Sequence, residues 1–317
     1  MLERRAPRPQ HDPWRHQGLL AEEERADDGT VRPAATIFLT GRECPWRCVM
    51  CDLWRYTIEE DTPAGAIPHQ IGLAIGELRA SAEPFPSLVK LYNAGSFFDP
   101  RAVPCADYDA VAARLIPFDR VVVESHPALV GDRVDRFSES LARQRGFAAS
   151  LEVAMGLETA HPVALERLHK RVTPDQFARA ADRLLAGGIS LRVFLLAGPP
   201  FVPDDEQDEW FLRSMDFAFD CGASVVSLIP TRAGNGALEA LAEQGMFRKP
   251  RLKDVERLFD AALPRARGRV FVDLWDIDGL AECDSCVKAR RDRLQRMNLR
   301  QQLLTPVACA RCGDGTS

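Results

Sequence analysis

Seven of the nine cysteines in this chain fall into two tight groups, Cys44, Cys48 and Cys51, then Cys283, Cys286, Cys309 and Cys312. The first group, in GRECPWRCVMCDLW, is a CxxxCxxC loop with no fourth cysteine nearby. A tetrahedral zinc or a fully ligated iron–sulfur cluster takes four protein ligands. Three thiols on one loop therefore describe a centre with one position left open for an outside ligand. A dithiol reading of CVMC would leave Cys44 idle, and a Cys3His zinc site finds no histidine nearer than His69. The second group forms two CxxC knuckles separated by 22 residues. Four thiolates in two pairs make a closed site, the arrangement of structural zinc, with a second iron–sulfur cluster as the alternative. Between the knuckles, Lys288, Arg290, Arg291, Arg293, Arg296 and Arg300 stand against one acid, Asp292. A basic helix held by metal at both ends suits a phosphate backbone, although a charge-rich helix is often only a solvated face.

These side chains need elements to position them. Apolar runs recur at 35–39, 88–93, 120–125, 148–158, 189–197 and 223–229, with a further strand at 269–275. Helical patterns lie between them. The clearest, over 173–186, opens with Thr173, Pro174 and Gln176 in a capping-box pattern. It carries Phe177, Ala180, Ala181, Leu184 and Leu185 on one face and stops at Gly187 and Gly188. A further helical stretch spans 236–264. Strands alternating with helices imply βαβ units and a parallel sheet, whose functional residues gather at the C-terminal strand ends. The cysteine loop begins five residues beyond the first of these strands, where a ligand loop belongs.

The predicted organisation has three parts: a polar, loosely ordered lead-in over 1–33, a barrel over 34–275, and a cysteine-rich module over 276–317. The fold class is α/β, a partial (βα)6 TIM-type barrel with a small C-terminal metal-binding module. Hydrophobic residues make up 46% and charged residues 27% of the chain, ordinary for a globular protein. No apolar run approaches a membrane span, and the N-terminus lacks the apolar core of a secretory signal. Clustered cysteines without such a signal suggest metal or redox chemistry in a reducing cytoplasm. The isolated Cys105 and Cys221 read as small buried hydrophobes. No phosphate-cradling GxxxxGK[ST] or GxGxxG loop is present, and the acidic run 204–209 reads as the start of a helix.

The CxxxCxxC loop placed after the first strand of a βα array resembles that of the radical S-adenosylmethionine superfamily. The stretches NAGSFFD, VESHP, GLET and LAGPPF resemble the branch of the elongator catalytic subunit and its MiaB-like relatives, and most of all the archaeosine-type enzymes that act on modified tRNA. The resemblance covers roughly residues 34–275. It implies that Cys44, Cys48 and Cys51 hold a 4Fe–4S cluster whose fourth iron binds S-adenosylmethionine, with reductive cleavage giving a 5′-deoxyadenosyl radical. It implies cosubstrate contacts at Asn93, Ala94, Gly95 and Ser96 for the methionine amino group. Glu158 falls at the ribose or methionine end, Lys170 at the carboxylate, and Ile229 with Pro230 at the adenine pocket. Met50 stands where many relatives carry an aromatic beside the adenine, a role that Trp46 or Trp54 could share. His126 replaces an arginine of the branch and reads either as a substrate or proton-transfer group or as a structural residue. The implied partners are a flavodoxin- or ferredoxin-type reductant and tRNA, with no membrane. The leading reading is a radical enzyme modifying a tRNA base. A radical enzyme for a small molecule or peptide with an auxiliary cluster, and a zinc-containing RNA-binding protein without radical chemistry, are the alternatives.

Overall fold

Local sequence starts the elements much as the patterns predict. The Thr173 hydroxyl accepts from the Gln176 amide, and the Gln176 side chain accepts from the Thr173 amide at 2.9 Å, so the capping box closes. The computed structural model of the protein describes residues 8–145 and 150–312. In chain order the elements are β1 (Gly18–Arg25), β2 (Val31–Phe38), α1 (Ala66–Ser81), β3 (Leu88–Tyr92), α2 (Tyr108–Arg114), β4 (Arg120–Ser125), α3 (Asp132–Arg145) and β5 (Ser150–Glu158). There follow α4 (Pro162–Arg167), α5 (Pro174–Ala186), β6 (Ser190–Ala197), α6 (Gln207–Asp220), β7 (Val225–Pro230), α7 (Ala237–Glu243), α8 (Leu252–Ala262), β8 (Arg269–Val272) and α9 (Val287–Arg300). The expected strand start at 148–149 lies outside the described residues. The single helical stretch expected over 236–264 is two helices, α7 and α8.

The strands form one eight-stranded sheet in sequence order, parallel from β2 to β8, with β1 antiparallel on the β2 edge. β1 and β6 are five places apart, about 24 Å in a flat sheet. Yet Arg192 of β6 donates to Glu24 of β1 at 2.5 Å, so the sheet is curled into an open barrel. Outward side chains such as Ile37, Leu91, Val123, Leu195 and Leu228 are fully buried beneath the surrounding helices. Inward positions differ along the strands. Near the N-terminal strand ends, Glu24, Lys90, Glu152 and Arg192 make a buried ionic floor, with Arg192 Nε donating to Glu152 at 2.5 Å and Lys90 Nζ 2.7 Å from Glu24. Near the C-terminal ends, Phe38, Tyr92, Phe194 and Ile229 are only half-buried and line a lumen.

Two expectations need correction. Part of the 1–33 lead-in is strand β1, whose inward Glu22 and Glu24 find Thr36, Lys90 and Arg192 as partners. A strand with glutamate at alternate positions carries no apolar signal, which is why its sequence reads as loose. The tail, expected as a module of its own, lies along the open edge of β8. Asn298 accepts from the Val272 amide at 2.8 Å and donates to its carbonyl at 2.9 Å. Gln301 does the same for Val270, both at 2.8 Å. Two side-chain amides thus stand in for a ninth strand and cover an edge that would otherwise be free to pair. Arg25 of β1 donates to the Leu299 carbonyl, so α9 bridges the two sheet edges like a stave.

Candidate active site

The loop carrying Cys44, Cys48 and Cys51 is fastened from several directions. The Val49 amide donates to the Leu168 carbonyl at 3.0 Å, and the Ile58 amide donates to the Gly41 carbonyl at 3.0 Å. Asn235 donates to the Val49 carbonyl at 2.8 Å while its side-chain oxygen accepts the Ala237 and Leu238 amides, so one residue caps α7 and holds the loop. Trp46 stacks on the His126 ring, with centroids 3.7 Å apart and an interplanar angle of 8°. Val49 is buried among Ala237, Leu238 and Phe247, and Met50 and Phe201 pack at the border of that cluster.

Gly95 explains how closely the second loop approaches. A Cβ on Gly95 would sit 3.1 Å from Cys44 Cβ, tighter than van der Waals contact, so a larger residue would push the β3 loop off the cysteine loop. Beside it, Ala94 holds the left-handed conformation at φ 56°, one that costs a non-glycine residue free energy and that recurs at functional sites. Asn93 is fully buried, and neither its side-chain oxygen nor its nitrogen has a hydrogen-bond partner. An unpaired buried amide is costly and calls for a ligand, an ion or a water to complete it.

The other wall is built from β5. Glu158 Oε1 accepts from Lys170 Nζ at 2.8 Å, with both side chains about nine-tenths buried. Gly156 makes room for this pair. A methyl there would overlap Glu158 Oε1 and come within 2.7 Å of Lys170 Nζ. Glu158 itself has φ 67°, and His169 and Arg171, which flank Lys170, have φ 58° and 56°. Burial opposes the Lys170 charge, but Glu158 and then Cys48 outweigh it and raise its pKa. Burial also raises the cysteines, Cys44 to about 12 and Cys48 and Cys51 likewise upward, with the Lys170 charge working against it at Cys44 and Cys48. Burial thus disfavours all three thiolates, and Lys170 favours those of Cys44 and Cys48.

Two residues were not singled out, or not resolved, in the sequence. Glu124 clamps the β3 loop, its carboxylate accepting from the Asn93 amide at 2.6 Å and the Gly95 amide at 3.2 Å. Burial raises its pKa to about 7, against the pull of those amides and of Lys170. A glutamate ending the apolar run RVVVE was the available signal. His126 has both ring nitrogens engaged: Nδ1 accepts the Ala128 amide and Nε2 donates to the Lys170 carbonyl at 2.9 Å. Burial, and then the Lys170 charge, lower it to about 4. It is a neutral, structural ring, so the proton-transfer reading falls away. The Ser96 hydroxyl lies 3.2 Å from Ser125 Oγ and accepts the His126 amide, and so ties the β3 and β4 loops together. Ile229, inward and half-buried near the end of β7, pairs with Leu196.

At the tail, Cys283, Cys286, Cys309 and Cys312 have all four sulfurs within 4.8 Å of one another. Cys283 and Cys309 are 3.9 Å apart, and Cys286 and Cys312 3.6 Å. Among the described residues no other cysteine group gathers so tightly, so the sulfurs of Cys44, Cys48 and Cys51 do not all fall within that distance. The basic helix is less available than its sequence suggests. Arg290 is buried against Glu256 and donates to Cys286 Sγ at 3.2 Å, and Arg293 is buried against Asp260 at 2.7 Å. Arg291 pairs with Asp278, which leaves Lys288, Arg296 and Arg300 exposed.

No protein-family profile matches the sequence. Over 233 residues the chain is 27% identical to archaeosine synthase subunit beta of Methanosarcina acetivorans, covering 70% of this chain and 65% of that protein. It is 24% identical over 293 residues to an uncharacterized protein of Methanocaldococcus jannaschii, covering 87% of this chain and 79% of the relative. Among solved structures, the archaeal Elp3 of Methanocaldococcus infernus with an N-terminal deletion matches with a TM-score of 0.55 at 14% identity, over 74% of this chain and 60% of that one. The chain spans less than two thirds of the length of the first and third of these proteins. Its curled α/β sheet is the fold it shares with that Elp3 structure.

Proposed function

We propose that the protein is a radical S-adenosylmethionine enzyme in which Cys44, Cys48 and Cys51 hold a 4Fe–4S cluster and a tRNA base is the substrate. The observation that carries the first part is the unpaired side-chain amide of Asn93, fully buried on a loop that packs against Cys44. Three thiols with an open fourth position and a buried polar group lacking a partner fit a cluster that shares its cosubstrate with the protein. The chemistry such a centre supplies is one-electron cleavage of the sulfonium to a 5′-deoxyadenosyl radical. The chain's own work is positional: Glu124 fixes the Asn93–Gly95 backbone, and Glu158 holds the Lys170 ammonium beside Cys48. A flavodoxin- or ferredoxin-type protein would supply the electron.

The substrate class is supported by the archaeosine synthase relative and by the exposed Lys288, Arg296 and Arg300. At the tail, four thiolates about 2.3 Å from one zinc would stand about 3.8 Å apart, close to the 3.6 and 3.9 Å found. A cubane spreads its thiolates wider, so this spacing favours zinc over an auxiliary cluster. Metal analysis on anaerobically purified protein tests both sites. About 4 irons and 1 zinc per chain are expected, with only iron lost when Cys44, Cys48 and Cys51 become alanine. Absence of deoxyadenosine after reduction with S-adenosylmethionine present would sink the radical reading. Salt-independent RNA retention, or none, would sink the RNA assignment.

A further inference from the structure

The upper lumen carries a row of aromatic side chains that the cosubstrate contacts leave unused. Phe38 ends β2, Tyr92 ends β3, and Phe194 lies on β6; each is on the inner face and half-buried. Tyr92 meets Phe194 edge to face at 6.0 Å and lies 6.5 Å from Phe38. Phe38 in turn lies 5.6 Å from Trp275, whose residue is 57% exposed. An exposed tryptophan is unremarkable when its backbone is free to move. This one is pinned. The Trp275 amide donates to Asp273 Oδ1 at 3.0 Å, and Arg232 Nη2 donates both to Asp273 Oδ2 and to the Trp275 carbonyl. The Trp275 backbone is therefore held at the rim of the lumen, on the C-terminal side of the sheet where the cysteine loop also lies, and its ring, in contact with Phe38, belongs to a largely exposed residue.

We infer that Trp275 is a preorganised stacking platform for a planar heteroaromatic ring, an unstacked base of an RNA, with Phe38, Tyr92 and Phe194 lining the space beneath it. Aromatic faces reward planar rings, and a platform whose backbone is already ordered loses less freedom on binding. The ionic floor of Glu24, Lys90, Glu152 and Arg192 is fully occupied by its own pairs, so it offers a charged ligand little. α9 runs antiparallel to β8, since Asn298 meets Val272 and Gln301 meets Val270. Its first turn therefore lies toward the rim, where exposed Lys288 can meet a phosphate although Asp276, Glu282 and Asp284 are exposed nearby in the sequence. The identification of the carrier as RNA rests on the reading proposed above; the stacking role rests on the rim geometry.

The test uses full-length, metal-loaded protein with two probes, bulk tRNA in filter retention and guanosine in tryptophan-fluorescence quenching. Trp275→Ala should weaken tRNA binding by about 5-fold or more, since base–aromatic stacking is worth at least that by alanine substitution. Trp275→Phe should restore most of it, because a second flat ring can stack. Guanosine should quench the wild type and quench Trp275→Phe less. Thermal unfolding of both variants shows whether they fold. If Trp275→Ala misfolds, quenching in Trp275→Phe decides alone. Equal tRNA binding by wild type and Trp275→Ala overturns the platform, as does a wild type that binds neither probe. Quenching by guanosine without tRNA retention keeps the ring and overturns its RNA carrier. Cleavage of S-adenosylmethionine by the wild type is measured beside these, so that failure of the radical reading is told apart from failure of the platform.

Discussion

Glycine 156 is the sharpest place to test how the site is built. In most strands, replacing glycine by alanine stabilises by about 0.4–1 kcal/mol, because the unfolded chain loses freedom. Here the sign should reverse. A methyl at 156 overlaps Glu158 Oε1 and stands 2.7 Å from Lys170 Nζ, so the ion pair must part or the strand must move. Overpacking costs about 1–3 kcal/mol, and separating a buried pair costs about 3–5 kcal/mol when it breaks fully. A net loss of about 3 kcal/mol is the expectation, read as a lower urea midpoint at unchanged slope. The same substitution should abolish S-adenosylmethionine binding by the reconstituted protein, since Lys170 and Glu158 leave their places together. The discriminating step is a double-mutant cycle. With Glu158→Ala already present, the worst overlap is gone and the unpaired Lys170 side chain can shift, so Gly156→Ala should cost at least about 1 kcal/mol less than in the wild type. Additive costs, or an alanine variant as stable as wild type, would refute the idea that Gly156 exists to house the pair.

Other expectations follow from the same geometry. His126 is held neutral down to about 4, whereas the unfolded chain takes up a proton near 6.5. Its contribution is therefore complete above pH 6.5 and lost as pH falls toward 4, by about 3 kcal/mol. Glu124, raised to about 7, has the opposite slope, losing stability as pH rises from about 4.5 to 7. The two offset each other in the wild type, so urea midpoints against pH should tilt one way in His126→Asn and the other in Glu124→Gln; parallel curves for all three proteins would contradict both assignments. Replacing both Asn298 and Gln301 by alanine should uncover β8 and produce association through that edge, seen as concentration-dependent sedimentation. Arg192→Met leaves Glu24 and Glu152 short of their shared partner and should cost about 3–5 kcal/mol, read by denaturant titration. If the tail cysteines hold a metal as proposed, chelating it should release Cys286 from Arg290 and raise amide exchange along α9, with the absorbance of the proposed triad cluster unchanged.

Much of the site can be read from short segments because thiol spacing and strand periodicity are local properties. The three cysteines on one loop, the four in two knuckles, the six central strands and the box at Thr173 and Gln176 are each written within a few residues. The aromatic ends of β2 and β3 are legible too, but not which face they line. What needed the tertiary structure is whatever depends on curl. Glu24 meets Arg192 across 168 residues only because the sheet bends, and in the sequence LLAEEER reads as a solvated lead-in. Glu158 and Lys170 appear as two separate charges until the strand end at Gly156 packs them together. His126, ambiguous in VESHP, becomes structural once both ring nitrogens find backbone partners 2 and 44 residues away. The basic tail helix changes its meaning for the same reason: Arg290 and Arg293 are charges on paper and buried counterions in the fold. Local chemistry is set by covalent neighbours, whereas burial and pairing are set by residues that only folding brings near.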